Sequence, residues 1–141
     1  MEQLLEFAGN HPLLVGLFVA LLVALAVNIA TDGGGKNAVD PTGATALINH
    51  EGAVVVDVRS MAEFKQGHIL NAINVPLNGL KSQLQTLEKH KSKPIVACCR
   101  SGSRSHMACG ILRKAGFERV HNLKGGMMAW ESANLPVKRK S

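Results

Sequence analysis

Two adjacent cysteines, Cys98 and Cys99, close an apolar run, and every residue after them is small or cationic: Arg100, Ser101, Gly102, Ser103, Arg104 and Ser105. No proline falls between 100 and 106, so each of these residues offers a backbone N–H. Gly102 is free to take a positive φ, and the serines are small enough for the chain to curl about a centre. Successive N–H groups directed inward make an anion nest, and a helix starting just beyond adds the positive end of its dipole. A thiolate at the head of such a loop stays ionised below the ordinary thiol range near about 8.5. Arg100 and Arg104 raise the local potential for an anionic substrate. No general base is needed, and none of the six histidines stands in an evident pairing motif.

Two registers compete for the nucleophile. Counted from Cys98 the string is Cys-x5-Arg104, a spacing similar to that of cysteine-dependent phosphatases; counted from Cys99 it is one residue tighter. Loops of this kind carry glycine three residues after the cysteine. From Cys98 that position is Ser101, and from Cys99 it is Gly102. Adjacent strand residues also point to opposite faces, so only one sulfur faces the loop centre. Cys99 is therefore the expected nucleophile and Cys98 a small buried strand residue. Cys109, on the flank of the following helix, is expected to be partly buried. Zinc held by Cys98, Cys99, His106 and Cys109 would need a ligand spacing that this stretch lacks, so no metal or other cofactor is expected.

The loop needs a strand before it and a helix after it. The valine-rich run "AVVVDV" (53–58) predicts a strand covered on both faces, and "KPIVAC" (93–98) and "ERVHNL" predict two more. "AINVP" predicts a shorter one. Asp40-Pro41 reads as an N-cap and first helical residue. A brief helix is expected at 61–66, and Leu77, Leu80, Leu84 and Leu87 recur at helical spacing. Met107, Ala108, Ile111, Leu112 and Ala115 share one helical face, and "GGMMAWESAN" reads as a last helix. Alternating strands and helices predict an α/β domain with a parallel sheet flanked by helices, its site where strands end and helices begin. Asp57 and Arg59 stand at such a strand end, where the carboxylate accepts from loop N–H groups and the arginine can pair with Glu63. Their expected role is to support the loop. His68 is expected to be a satisfied turn histidine.

Outside that domain, residues 13–30 hold eighteen residues without a charge and with one polar side chain, Asn28. As a helix this run spans roughly 27 Å, the hydrocarbon thickness of a bilayer. The preceding residues 1–12 carry Glu2 and Glu6 but no Lys or Arg, unlike the basic start of a cleaved signal. The expected organisation is an N-terminal segment (1–12), one transmembrane helix (13–30), a glycine-rich flexible linker (31–37), a catalytic domain (38–137) and a basic tail (138–141). All sixteen Lys and Arg follow the apolar run, with eight of the ten acidic residues, a formal +8. That excess and three cysteines without disulfide spacing place the domain on the cytoplasmic side of a single-pass membrane protein. The positive charges are scattered among only five aromatic residues, so nucleic acid is not an expected partner.

The loop "CRSGSRS" resembles the active-site loop of rhodanese-like sulfurtransferases. "VVVDVRSMAEFKQGHILNAINVP" is similar to that family's Asp-Val-Arg, Glu-Phe and Gly-His-Ile stretch, and "LKGGMMAW" to its C-terminal Gly-Gly…Trp element. The motifs occur in order across roughly residues 38–137, and the apolar run before them resembles the membrane-anchored bacterial members. The resemblance implies a rhodanese-like sheet and a loop of six residues from cysteine to Arg104, the length associated with sulfur rather than phosphate substrates. It further implies a Cys99 persulfide that takes sulfane sulfur from a small anionic donor such as thiosulfate, or from a persulfide, and passes it to a thiophilic acceptor, a protein thiol included. A second reading, from another class, is a non-catalytic scaffold of this fold that docks a partner at the membrane. A phosphatase is the third.

Overall fold

The computed structural model describes residues 1–32 and 37–139. The chain divides into two units, Met1–Gly35 and Lys36–Ser141. In the first, α1 (Glu2–Asn10) and α2 (Pro12–Asp32) are bent by 102° between Glu2–Asn10 and Pro12–Val27. Pro12 supplies the bend: it disfavours a helical His11, whose φ is −131°, and its own fixed φ suits the first position of α2. The helix α1 was not among the expected elements. Among the described residues no single helix is long and apolar enough to cross a membrane, although the bent pair taken together meets that length and composition. The helix expected at 13–30 lies within α2, and the bend falls before it, between Asn10 and Pro12. Of the expected linker, Thr31 and Asp32 continue α2, residues 33–36 lie outside the described residues, and Asn37 occupies a turn.

The second unit is built on β1 (Ala38–Val39), β2 (Val54–Asp57), β4 (Ile73–Asn74), β5 (Ile95–Cys98) and β6 (Val120–Leu123). They form one parallel sheet in the order β1-β6-β5-β2-β4, with β5 and β2 in its interior. The short strands β3 (His68–Ile69) and β7 (Val137–Lys138) pair antiparallel to each other. Lys138 thus belongs to a strand rather than to a tail, and residues 140–141 of the expected tail lie outside the described residues. The two-residue strands are too short to leave a periodic signal, and only their pairing makes them strands.

Helices cover both faces, as buried parallel strands require. On one face Ile95, Val56, Ala97 and Cys99 pack with Leu80, Leu87, Leu112 and Phe117. On the other, Val55, Val96 and Cys98 pack with Ala44, Leu123, Met127 and Trp130. Each fully buried leucine contributes about 1.5–3 kcal/mol of burial. The helices are α3 (Pro41–Glu51), α4 (Met61–Gln66), α5 (Leu84–Leu87), α6 (Ser103–Lys114) and α7 (Gly126–Ser132). Asp40 caps α3 as expected, its carboxylate accepting the Gly43 N–H at 2.7 Å.

Two helical expectations need correction. Residues 77–90 are not one helix: α5 is a single turn set among 3-10 turns at 77–79, 81–83 and 88–90. Asn78-Gly79 is a poor helix former, and the leucine spacing still buries Leu80 and Leu87 completely. In α6 the buried stripe is Ser105, Ala108, Cys109 and Leu112. Met107, expected on that face, is 61% exposed, whereas Cys109 is fully enclosed. The helix is rolled so that Ser105 meets the loop.

Candidate active site

Strand β5 ends at Cys98, and the chain turns through residues 99–102 into α6. Cys98 and Cys99 are both shielded from solvent, on opposite faces of the sheet. Gly102 takes φ +108°, a conformation that costs a side-chain-bearing residue dearly. Its N–H thereby reaches back to the Cys99 sulfur at 3.0 Å. Ser105, in the first turn of α6 and completely buried, places its Oγ 3.4 Å from the same sulfur. Burial alone would push the Cys99 thiol up. The Ser105 hydroxyl and the N–H groups of Ser105, Gly102 and Ser101 outweigh it and hold the thiol below its ordinary value of 9.0. For Cys98 burial wins: its thiol is pushed well above that value, and the Asp57 carboxylate adds to the rise.

Around the loop the ion pairs differ from those expected. Arg59 does not pair with Glu63. Its guanidinium lies on Asp57, with Nη2 donating to Oδ2 at 2.7 Å and Nε to Oδ1 at 3.0 Å. The same Nη2 also donates to the Gly67 carbonyl at 2.7 Å. Burial works against the Arg59 charge, but Asp57 more than compensates. Asn74 then ties the turn down by donating to the carbonyls of Asp57 and Arg59. Glu63 instead holds Arg104, through Nη1 at 2.8 Å and Nη2 at 3.0 Å. The Arg104 hydrogen bonds and those from Ser60 bring the Glu63 carboxyl down to about 2. Arg104 therefore braces the loop onto α4. Arg100 lines a cleft of about 240 Å³ beside the loop, together with Glu63, Gln66, Met127, Met128 and Glu131.

The Gly-Gly element closes the loop from the far side. Met127 and Met128 donate backbone N–H groups to the carbonyls of Cys99 and Arg100, at 2.8 and 3.1 Å. A Cβ on Gly126 would collide with the Cys99 oxygen and sit 2.6 Å from the Arg100 carbonyl. His68 is satisfied, but it lies in strand β3 rather than in a turn: its ring stacks on Phe64 at 3.7 Å, and Nδ1 lies 2.7 Å from the Phe64 carbonyl. Among the described residues no group of His, Cys, Asp and Glu is arranged to hold a metal ion.

Sequence reasoning gathered Arg100, Ser101, Gly102, Ser103, Arg104 and Ser105 around Cys99. The structure brings Ser101, Gly102 and Ser105 to the sulfur, while Arg100 lines the cleft, Ser103 opens α6 and Arg104 turns to Glu63. Sequence reasoning left out Asn122, whose side chain contacts both Gly102 and Ser105. A polar pair, His121-Asn122, within a four-residue strand was the available signal. It also missed the grip of Glu63 on Arg104. The spacing Ser60-x-x-Glu63 is a capping box, and it sets that carboxylate at the first turn of α4 beside the loop.

Relatives share this architecture. The chain is 40% identical over 141 residues to the uncharacterized protein YibN of Escherichia coli, covering 99% of both chains. It is 37% identical over 91 residues to a sulfurtransferase of Allochromatium vinosum, covering 64% of this chain and 83% of that one. A crystal structure of a rhodanese-related protein from Thermoplasma volcanium superposes with a TM-score of 0.66 at 27% identity, over 72% of this chain and 97% of that one. Residues 40–133 match the family model of the rhodanese-like domain, and with that match and these relatives the chain belongs to the rhodanese-like family.

Proposed function

We propose that the protein is a membrane-tethered sulfurtransferase of rhodanese type. The Cys99 thiolate attacks the outer sulfur of a sulfane donor, thiosulfate or a persulfide. The S–S bond of the donor breaks, and sulfite or a thiolate leaves with the electron pair. The Cys99 persulfide then gives its outer sulfur to a thiophilic acceptor, and the thiolate returns. The observation that carries this reading is the Gly102 N–H at 3.0 Å from the Cys99 sulfur, at the head of a loop that favours the ionised form. Arg100, which lines the adjacent cleft with the Asp57-paired Arg59, is a cation available to an anionic donor. The sulfurtransferase from Allochromatium vinosum supports the same activity class.

The tether is the uncharged run at 13–30, whose leucines, such as Leu13, Leu17 and Leu21, are exposed. It would hold a cytoplasmic domain at the inner face of a bacterial membrane, within reach of a protein thiol. The full chain in detergent should turn over thiosulfate and cyanide, and mass spectrometry should find one added sulfur atom on the peptide bearing Cys99. An absence of both turnover and persulfide would favour the docking-scaffold reading. Protease digestion of sealed inverted membrane vesicles should remove the domain; protection would place it on the other side.

A further inference from the structure

The Ser105 hydroxyl carries one proton and has three acceptors within reach. Cys99 Sγ is 3.4 Å away, the Gly102 carbonyl 3.1 Å, and Asn122 Oδ1 only 2.5 Å. The Asn122 amide cannot be turned round without loss, because its Nδ2 donates to the Gly102 carbonyl at 3.1 Å. Its oxygen therefore faces Ser105. The backbone of Asn122 is itself held by its N–H on the Asn37 carbonyl at 2.9 Å.

We infer that Asn122 is a positioning residue that competes with Cys99 for the Ser105 proton. While Cys99 is a neutral thiol, Ser105 donates to Asn122 Oδ1, the nearer acceptor. When Cys99 loses its proton to solvent, the hydroxyl rotates to the thiolate, a charged and stronger acceptor, and gives up Asn122. The hydrogen bond to sulfur is then worth only its excess over the one surrendered. Asn122 thus moderates the acidity that the loop confers, so that the sulfur is not ionised beyond what its nucleophilicity tolerates.

Other groups do not decide the hydroxyl's choice. Arg104 and Cys109 of α6 and Cys98 of β5 act on Cys99 through charge. From the end of β2, Asp57 and Arg59 neutralise each other, and Arg100 faces the cleft. The inference rests on the reading of Cys99 as the nucleophile, but its test does not need sulfur transfer.

The test compares the full chain in detergent with Asn122→Ala, Ser105→Ala and the double variant. Alkylation of the Cys99 peptide by iodoacetamide is followed against pH. In Asn122→Ala the thiolate titration should move to lower pH, with alkylation on its acidic side about threefold to tenfold faster. That gain should vanish when Ser105→Ala is added. A purely structural role predicts the opposite sign, since a loosened loop loses N–H groups from the sulfur. Slower alkylation in Asn122→Ala, or an effect of equal size with and without Ser105, would overturn the inference. If circular dichroism shows Asn122→Ala unfolded, Asn122→Ser, too short to reach the hydroxyl, carries the same comparison. A protein inactive with thiosulfate would still decide the matter, because only thiol acidity is read.

Discussion

On one face of the sheet the Cys98 sulfur sits among Val55, Val96, Met127 and Trp130, beside the Asp57 carboxylate, and its thiol is driven toward the neutral form. One residue along, on the other face, the Cys99 sulfur is equally shielded from solvent but meets the Gly102 N–H and the Ser105 hydroxyl. Both are buried, so burial accounts for the rise at Cys98 but not for the fall at Cys99. The difference lies in the dipoles aimed at each sulfur. A buried anion is tolerable only where hydrogen-bond donors already point at it. The loop after β5 provides them on one face and nothing comparable on the other.

Exchange of the sulfurs breaks this comparison most directly. Cys99→Ser should lower thiosulfate–cyanide turnover at least about a thousandfold and abolish the persulfide seen by mass spectrometry. Cys98→Ser should retain both, with a stability loss of about 1–3 kcal/mol in urea unfolding, because a hydroxyl would be buried in an apolar cluster. A persulfide found on Cys98 would reverse the assignment.

The charged neighbour of Cys98 comes next. Arg59→Leu would strand the Asp57 carboxylate in the interior, and a loss of about 3–5 kcal/mol is expected from urea unfolding. Gly126→Ala strikes the face of Cys99 through the backbone, since the new Cβ meets the Cys99 and Arg100 carbonyls and φ is +55°. It should destabilise by about 2–3 kcal/mol and lower turnover by more than the folded fraction explains.

The smallest effect is expected at the loop's outer brace. Glu63 and Arg104 are about one-third exposed, so solvent screens their pair, and Glu63→Gln should cost about 1 kcal/mol near neutral pH. The Glu63 carboxyl is lowered from 4.5 to about 2 on folding. Its contribution is therefore fully present above the unfolded value and disappears as pH falls through the folded one. Unfolding free energies of wild type and Glu63→Gln should converge across that window, and a constant difference would deny the pair its role.

How much was legible beforehand follows from the range of each interaction. Asp40-Pro41 and the valines at 54–56 act through local propensity and burial and took their expected places. Leu80 and Leu87 are buried although the helix their spacing predicts is broken into turns. The register that sets Gly102 against Cys99 was legible for a local reason too, since Gly102 sits three residues on and its N–H turns back to that sulfur. The partners of Glu63 and Arg59 were not. Glu63 and Arg104 are 41 positions apart, and which arginine reaches the carboxylate depends on how α4 lies against the loop.

The sequence by itself determined the alternation of strands and helices, the opposite facing of two adjacent cysteines, and a loop with an N–H at every position. These are consequences of side-chain period and backbone geometry within a few residues. Only the tertiary structure decided that Gly126 presses against the Cys99 carbonyl, that Arg104 is tied to α4, and that Asn122 stands 2.5 Å from the Ser105 hydroxyl. Those contacts join segments from 17 to 41 residues apart, and no local pattern encodes the packing that brings them together.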